Sequence, residues 1–560
     1  MSSSGGSGEG SASESAGEQS RLLSASALMA AGTVVSRLTG FVRSALLLAV
    51  LGKSLNADVF ATANTLPNSL YILVAGGVFN VVLVPQLVRA MRSDADGGEA
   101  FAQRLLSLGV LVLIGATAVL MALVPVLAHV VFSSDLFTPE LEAPRQSAYA
   151  LMWWCMPQVF FYGVFVLVGQ ILNARERFGP MMWAPIVNNV VACAVLGGYA
   201  LQWGTSDASD GFTTAQVVVL GAGATLGIAL QALVLVPYAR AAGFRFRLRT
   251  DLRGVGMGKT LRLGAWTVAF VVANQVAFVI VTRLATGSST QAALEGTTAN
   301  GVAVYQGAFL VSQVPHAIIT VSLVTATMPL LSRFAADGEL VRMRDEIATT
   351  LRLVLVAIAP VAVALACLGS VLAAVLFSYG ALDGATAPVG YTLAAFAPGL
   401  LLFTIHYLML RGFYAQEDTR TPFLVQLVVS LTNVAAAVVL TFDAPTDQIA
   451  TRLAFAYGIA YLAGSIASAT LLSRRLGGLG GRRRLLVFSV RLTVACGVAA
   501  AAMLGTMLLL EEAGVDDDTT GPAILMFAVA GAAGAVAYLL AARLLRLGEV
   551  RALLGAVARR

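Results

Sequence analysis

Residues 102–133 read AQRLLSLGVLVLIGATAVLMALVPVLAHVVFS. After Arg104 no Asp, Glu, Lys or Arg occurs until Asp135, a run of 30 residues. About 20 apolar residues are enough for a helix to cross a bilayer. The run is continuously apolar and does not alternate with a period of two, so it reads as a spanning helix and not as a barrel strand. Comparable windows recur at about 26–51, 59–91, 147–174, 180–203, 213–241, 260–286, 300–335, 346–378, 389–415, 421–442, 449–475, 484–510 and 520–546. The chain is therefore expected to be an all-α integral membrane protein with about 14 transmembrane helices.

The composition agrees. Hydrophobic residues make up 58% and charged residues 12% of the chain, and mean hydropathy is +0.82. A soluble domain carries about 25% charged residues. The net charge of +6 would suggest nucleic acid in a soluble protein. Here the placement of Lys and Arg explains it, and no nucleic-acid partner is expected. Alternate loops are basic, at Arg89 and Arg92, Arg175 and Arg177, Arg240 to Lys259, Arg333 to Arg344 and Arg474 to Arg484. The intervening loops are neutral or acidic, at Asp135 to Glu142, Asp207 and Asp210, Glu295, Asp383, Asp443 and Asp447, and Glu511 to Asp518. By the positive-inside rule the basic loops and both termini are cytoplasmic. The Ser, Gly and Glu rich residues Met1 to about Ser20 cannot bury a core. They have no basic residue before Arg21, so they do not form a signal peptide, and the first apolar window is expected to stay in the protein.

The chain repeats itself. Val84-Pro85-Gln86-Leu87-Val88-Arg89 aligns with Met328-Pro329-Leu330-Leu331-Ser332-Arg333, and Val131-Phe132-Ser133 aligns with Leu376-Phe377-Ser378. Pro180 and Asn189 align with Pro422 and Asn433, so the offset stays between 242 and 245 residues. Six helices separate the copies, an even number, so both enter the membrane the same way round. Two parallel six-helix lobes are a transporter architecture, with the substrate site at their interface. The expected partition is 1–25 disordered tail, 26–242 first lobe, 243–259 basic inter-lobe loop, 260–476 second lobe, 484–546 helices thirteen and fourteen, and 547–560 cytoplasmic tail.

Charge inside these windows is rare and marks candidate sites. Arg37 and Arg43 lie in the first, in Ser36-Arg37-Leu38-Thr39-Gly40-Phe41-Val42-Arg43. Six residues separate them, about 9 Å of rise and about 120° of rotation. Both can reach a wide cavity but not one narrow groove. Guanidinium forks suit phosphate or pyrophosphate, so the expected ligand is an anion. Arg283 is a third candidate, either facing the cavity or anchoring a helix end. Asp58 and Asn68 bracket a helix that Pro67 can kink, opening a polar path; the alternative is a packing irregularity. Pro315-His316 makes a similar break. His129, His316 and His406 read mainly as helix–helix hydrogen-bonding residues. Cys155, Cys193, Cys367 and Cys496 lie in apolar windows, with no zinc-like spacing and no disulfide pattern.

Gly254-Val255-Gly256-Met257-Gly258-Lys259-Thr260 is one residue short of a P-loop and follows no strand, so it reads as basic loop. No nucleophile–base pair or metal-ligand cluster stands out, so neither catalytic nor metal residues are assigned, no cofactor is expected and the chain does not read as an enzyme.

Several segments resemble the MurJ (MviN) family of lipid II flippases in the MOP superfamily. They are Ser36-Arg37 to Arg43, Ala57-Asp58-Val59-Phe60 to Leu66-Pro67-Asn68, and Phe79 to Val84-Pro85. Gly169-Gln170-Ile171-Leu172-Asn173 to Asn188, Met328-Pro329-Leu330-Leu331-Ser332 and Gly412-Phe413-Tyr414 to Pro422 follow in order. The style is that of actinobacterial members. The resemblance implies movement of the undecaprenyl-pyrophosphate-linked peptidoglycan precursor between leaflets by alternating access. The implied partners are lipid II, membrane lipids and cell-wall synthesis proteins. The chain departs from the family where two basic residues usually follow Leu-Pro-Asn, here Tyr71 and Ile72. It departs again at Gly76, where the family is acidic, and at Ala308, where the family has arginine. Two other readings therefore stay open: export of another polyprenyl-linked glycan or amphiphile, and a non-transporting scaffold or regulator of cell-wall synthesis.

Overall fold

Proline and glycine decide where the apolar windows break. In the computed structural model, which describes residues 31–73, 98–247, 249, 258–515 and 520–558, the first span is α1 (Ala31–Leu51) and the second is α2 (Leu55–Tyr71). The third is divided into α3 (Glu99–Ala122) and α4 (Val124–Val131). Pro125 has no N–H to give the Met121 carbonyl, so the ladder is interrupted there. Pro157 likewise separates α5 (Glu142–Cys155) from α6 (Gln158–Ala174). α7 (Gly179–Trp203), α8 (Thr214–Leu233) and α9 (Leu235–Ala241) complete the first lobe.

The second lobe repeats the order. It runs α10 (Gly258–Glu295), α11 (Val302–Pro315), a π-turn over His316–Thr320, and α12 (Val321–Ala336). Then come α13 (Leu340–Cys367), α14 (Gly369–Phe377), α15 (Ala387–Tyr414), α16 (Arg420–Thr441) and α17 (Ile449–Leu476). The break before α14 lets two backbones meet, because a Cβ on Gly369 would lie 2.8 Å from the Gly390 carbonyl oxygen. α18 (Arg482–Glu512) and α19 (Thr520–Leu544) follow the lobes, and α20 (Gly548–Ala558) ends the chain.

Thirteen helices among the described residues are long and apolar enough to cross a membrane. α2 has 17 described residues, and from residue 74 its expected continuation to residue 91 lies outside the described residues. So do residues 1–25, Gly76, Phe79, Val84-Pro85 and most of the 243–259 loop. Three boundaries move. The seventh helix, expected to stop at 286, runs on to Glu295. Its polar end is buried and bonded: Thr290 donates to the Thr286 carbonyl at 3.1 Å, and Ser288 to the Thr446 carbonyl at 2.7 Å. Gly258-Lys259-Thr260, expected as loop, forms the first turn of α10. Residues 548–558, expected only as a tail, form a helix docked on α13, where Glu549 pairs with Arg352 at 3.0 Å.

The repeat reaches further than the matched sequence. Asn56 and Asn300 sit at equivalent places, at the starts of α2 and α11. The Asn56 backbone N–H donates to the Ala208 carbonyl at 3.1 Å, and that of Asn300 to the Thr446 carbonyl at 3.2 Å. Each side chain then donates to a carbonyl just beyond, that of Gly211 or Asp447. In both lobes the loop after one helix is thus clasped to the loop preceding the lobe's last span.

Outside the membrane, Asp418 ties the second lobe together. It accepts from the Thr421 N–H at 3.0 Å and the Thr421 hydroxyl at 2.6 Å, and pairs with Arg475 at 2.6 Å. Burial pushes its carboxyl up, but the Thr421 hydrogen bonds and Arg475 outweigh it, and the net direction is below the usual carboxylate range. A depressed folded pKa stabilises above the unfolded value and is lost as pH falls through the folded one. Asp418→Asn is expected to remove about 1–2 kcal/mol, read as a lower Tm in detergent at pH 7. The difference from the native protein should shrink below about pH 4, where the unfolded carboxyl itself is protonated.

Candidate substrate cavity and the seam between the lobes

α1 meets its neighbours on two faces. One is pinned to α7: the Asn189 side-chain amide donates to the Ser36 carbonyl at 3.1 Å and to the Thr39 hydroxyl at 3.0 Å. The other faces the second lobe through residues spaced three and four apart. Phe41 meets Phe377 edge-on with ring centroids 5.9 Å apart. Leu48 lies over Gly307, where an added Cβ would sit 2.9 Å from its Cδ1. Arg37 is one turn before Phe41 on this same stripe. It is exposed.

Arg43 points elsewhere. It lines a cavity of about 80 Å³ enclosed by α1, α2, α6, α7 and α8 of the first lobe and closed by Gln306 of α11. The polar wall is Ser44, Asn64, Thr65, Tyr162, Asn188 and Gln306. Among the described residues no carboxylate pairs with Arg43, which is half-buried. The cavity has room for a few waters, far less than the roughly 300–1,000 Å³ of a ligand cleft. Tyr71, where a basic residue was anticipated by resemblance, is buried and stacks on Tyr162 at 5.9 Å. Ala308 is fully buried.

Asp58 stands at the top of the seam between the lobes. It is 0% exposed and accepts the backbone N–H groups of Val302 at 2.8 Å and Ala303 at 2.7 Å, with Ser289 donating as well. The carboxylate of one lobe therefore caps the first helix turn of the other, where the helix dipole favours negative charge. Gly301 makes this approach feasible, since any Cβ there would collide with the Asp58 carboxylate. One side of the seam is closed by Arg283, which donates to the carbonyls of His129 and Phe132 at the C-terminal end of α4. These bonds tie Arg283 to that helix end. Thr286 donates to Val131 and accepts from the Ser133 N–H at 3.2 Å. About 10 Å deeper, Thr65 donates to Gln306 at 3.3 Å.

These contacts between the lobes gather toward the end that carries the acidic loops. The apolar cores follow the same division. One core runs through both lobes, joining Leu48, Phe60 and Phe132 to Val304, Phe377 and Phe396. Toward the basic loops it gives way to separate cores, one around Leu106, Leu172 and Phe244 and another around Ile347, Phe413 and Leu472. Among the described residues, the lobes share a core toward the acidic-loop end and have separate cores toward the basic-loop end.

Asn68 is half-buried, one turn beyond Asn64 on α2, and does not line the Arg43 cavity. Arg43 thus lines the cavity, Arg37 is exposed one turn before Phe41, and Asp58 and Arg283 make hydrogen bonds across the seam. His316 bonds Thr404 at 2.9 Å, and His406 meets the Gly464 carbonyl at 3.2 Å. Sequence reasoning passed over Arg411. It lies between the rings of Tyr407 and Tyr414, at 4.3 and 5.7 Å, in a second-lobe cavity of about 590 Å³ with Asn274 and Gln426. The available signal was an arginine inside an apolar window, in Tyr407-Leu408-Met409-Leu410-Arg411.

The family model described as lipid II flippase MurJ matches residues 47–516. The chain belongs to that family. A probable lipid II flippase MurJ of Rhizobium meliloti is 26% identical over 479 residues, covering 85% of each chain. One of Rhizobium tropici is 28% identical over 417 residues, covering 73% of each. A solved MurJ in an inward closed conformation superposes with a TM-score of 0.69 at 17% identity, covering 93% of this chain and 99% of that one. An inward-facing multidrug transporter of the MATE family follows at a TM-score of 0.61 and 14% identity, covering 80% and 98%. The fold is therefore shared with these two proteins: two parallel six-helix lobes plus the two helices α18 and α19.

Proposed function

We propose that this MurJ family member is a lipid II flippase of the bacterial plasma membrane. It moves the undecaprenyl-pyrophosphate-linked precursor from the inner to the outer leaflet. The observation that carries the proposal is Arg43, a guanidinium without a carboxylate partner among the described residues, in a polar first-lobe cavity closed by Gln306 of the second lobe, within a chain of this family. Arg37, exposed one turn before Phe41, lies on the route toward it. The two charges give a pyrophosphate a cationic path from the basic-loop end toward the acidic-loop end.

The basic loops, and with them both termini, face the cytoplasm by the positive-inside rule. In that orientation the lobes have their separate cores on the inner side, and Asp58 seals the outer side. Transport requires the seam to part and the lobes to close below the ligand, so the substrate must bind the two states differently. The company expected at the membrane is lipid II, surrounding lipids and cell-wall synthesis proteins.

Complementation tests the proposal. In a related host depleted of its own lipid II flippase, this chain should restore growth and surface-exposed lipid II, and Arg37→Ala should weaken the rescue. Failure to rescue by a correctly inserted protein would sink the flippase reading. One observation favours the alternative of another polyprenyl-linked glycan or amphiphile. The Tyr71–Tyr162 stack replaces charge with an aromatic wall suited to a sugar or apolar face. Rescue by this chain of a different lipid-linked glycan exporter, with none for lipid II, would select it.

A further inference from the structure

At the basic-loop end of α18 lies a cavity of about 730 Å³, away from both the seam and Arg43. Its charged lining is Arg352, Arg483, Arg484, Arg491, Arg546 and Glu549. Arg352 is 5% exposed and pairs with Glu549 at 3.0 Å. The other four guanidiniums have no carboxylate partner among the described residues. Like charges gathered this closely destabilise one another unless an anion sits between them.

The backbone adds to the same field. α18 begins at Arg482 after Gly481, which offers no side-chain cap. α20 begins beside it at Gly548. Two helix N-termini thus direct N–H groups and positive dipole ends at one cavity. Arginine forks match phosphate oxygens in pairs.

A second cavity of about 610 Å³ shares Arg483, Val487 and Arg491 and continues along α18 over Leu486 and Val490. Leu486 and Val490 are 54% and 56% exposed. Cationic pocket and apolar strip are continuous, the shape of an amphiphile with a phosphate head.

We propose that this is a binding site for the phosphate headgroup of an anionic membrane lipid. The headgroup sits among Arg483, Arg484, Arg491 and Arg546, and a hydrocarbon chain lies along Leu486, Val487 and Val490. The bound lipid joins α13, α18 and α20, and so holds the C-terminal helix against the second lobe. Basic pockets at the cytoplasmic ends of spanning helices commonly take such headgroups.

The test uses the full chain purified in detergent and native mass spectrometry. The probes are dioleoyl phosphatidylglycerol, dioleoyl phosphatidylcholine and inorganic pyrophosphate. The native protein should retain phosphatidylglycerol in preference to phosphatidylcholine. Arg483→Gln with Arg484→Gln and Arg491→Gln, which spares the Arg352–Glu549 pair, should weaken that binding roughly tenfold or more. Arg333→Gln with Arg342→Gln and Arg543→Gln, at the same end but outside the cavity, should leave it unchanged. Equal retention by the cavity variant, or equal loss in the control, overturns the site. Pyrophosphate binding as tightly as the lipid overturns the amphiphile and assigns the cavity to a free anion. Should the triple variant lower Tm, the single change Arg484→Gln, at an exposed position, replaces it. That variant is expected to retain less phosphatidylglycerol than the native protein, and undiminished retention overturns the site.

Discussion

Arg43→Ala is expected to lower flipping roughly a hundredfold, because removing the guanidinium from its pair with the proposed pyrophosphate group, formed away from water, costs about 2–5 kcal/mol. Nothing nearby can take over the role. Among the described residues no second cation lines the Arg43 cavity, and no carboxylate there could free another charge by shifting. Arg43→Lys should retain part of the activity. It restores the charge but presents a point in place of a planar fork. The measurement is the fraction of lipid II open to an externally added lipid II hydrolase, in cells dependent on this chain, with protein level checked by immunoblot. Unchanged exposure in Arg43→Ala would remove the cavity from the transport path.

The second large effect is expected at the seam. Asp58→Asn leaves the shape and removes the negative charge. Its amide group cannot accept from Ser289, Val302 and Ala303 as two carboxylate oxygens do. A hydrogen bond to a charged group contributes about 1.5–3 kcal/mol, so losing the charge shifts the balance toward the outward-open state by roughly one to two orders of magnitude. Gly301→Ala should act in the same direction by steric conflict with the same carboxylate. The readout is labelling of Ser44→Cys by a membrane-impermeant maleimide from outside, in a background without the four native cysteines. Faster labelling is expected in both variants. If neither changes the rate, the carboxylate is not what holds that side closed.

Much of the fold was legible because hydrocarbon leaves so few options. A 30-residue uncharged run admits one secondary structure, and loop charge gives the direction. The polar end of α10 was not legible. Thr286, Ser288 and Ser289 look like the start of a loop until their partners in the other elements are known. Site residues divide in the same way. Arg43 was legible as a charge that a spanning helix carries at a cost. Asp58 was legible as unusual, but its role was not, because its partners are backbone N–H groups 244 and 245 positions away, and backbone groups leave no mark in a sequence. Arg37 and Arg43 share a helix and were expected to share a cavity. Helix rotation leaves one exposed and turns the other into the first lobe, which is the separation their spacing permits.

The clasps at Asn56 and Asn300 bear on how the two halves relate as bodies. Each half fastens its own rim with its own backbone. What then joins them is a contact between two self-fastened bodies inside one polypeptide: a shared apolar core edged by the hydrogen bonds of Asp58 and Thr65. Substitutions in that contact are expected to change which side of the pair is open, while each rim stays fastened by its own bonds.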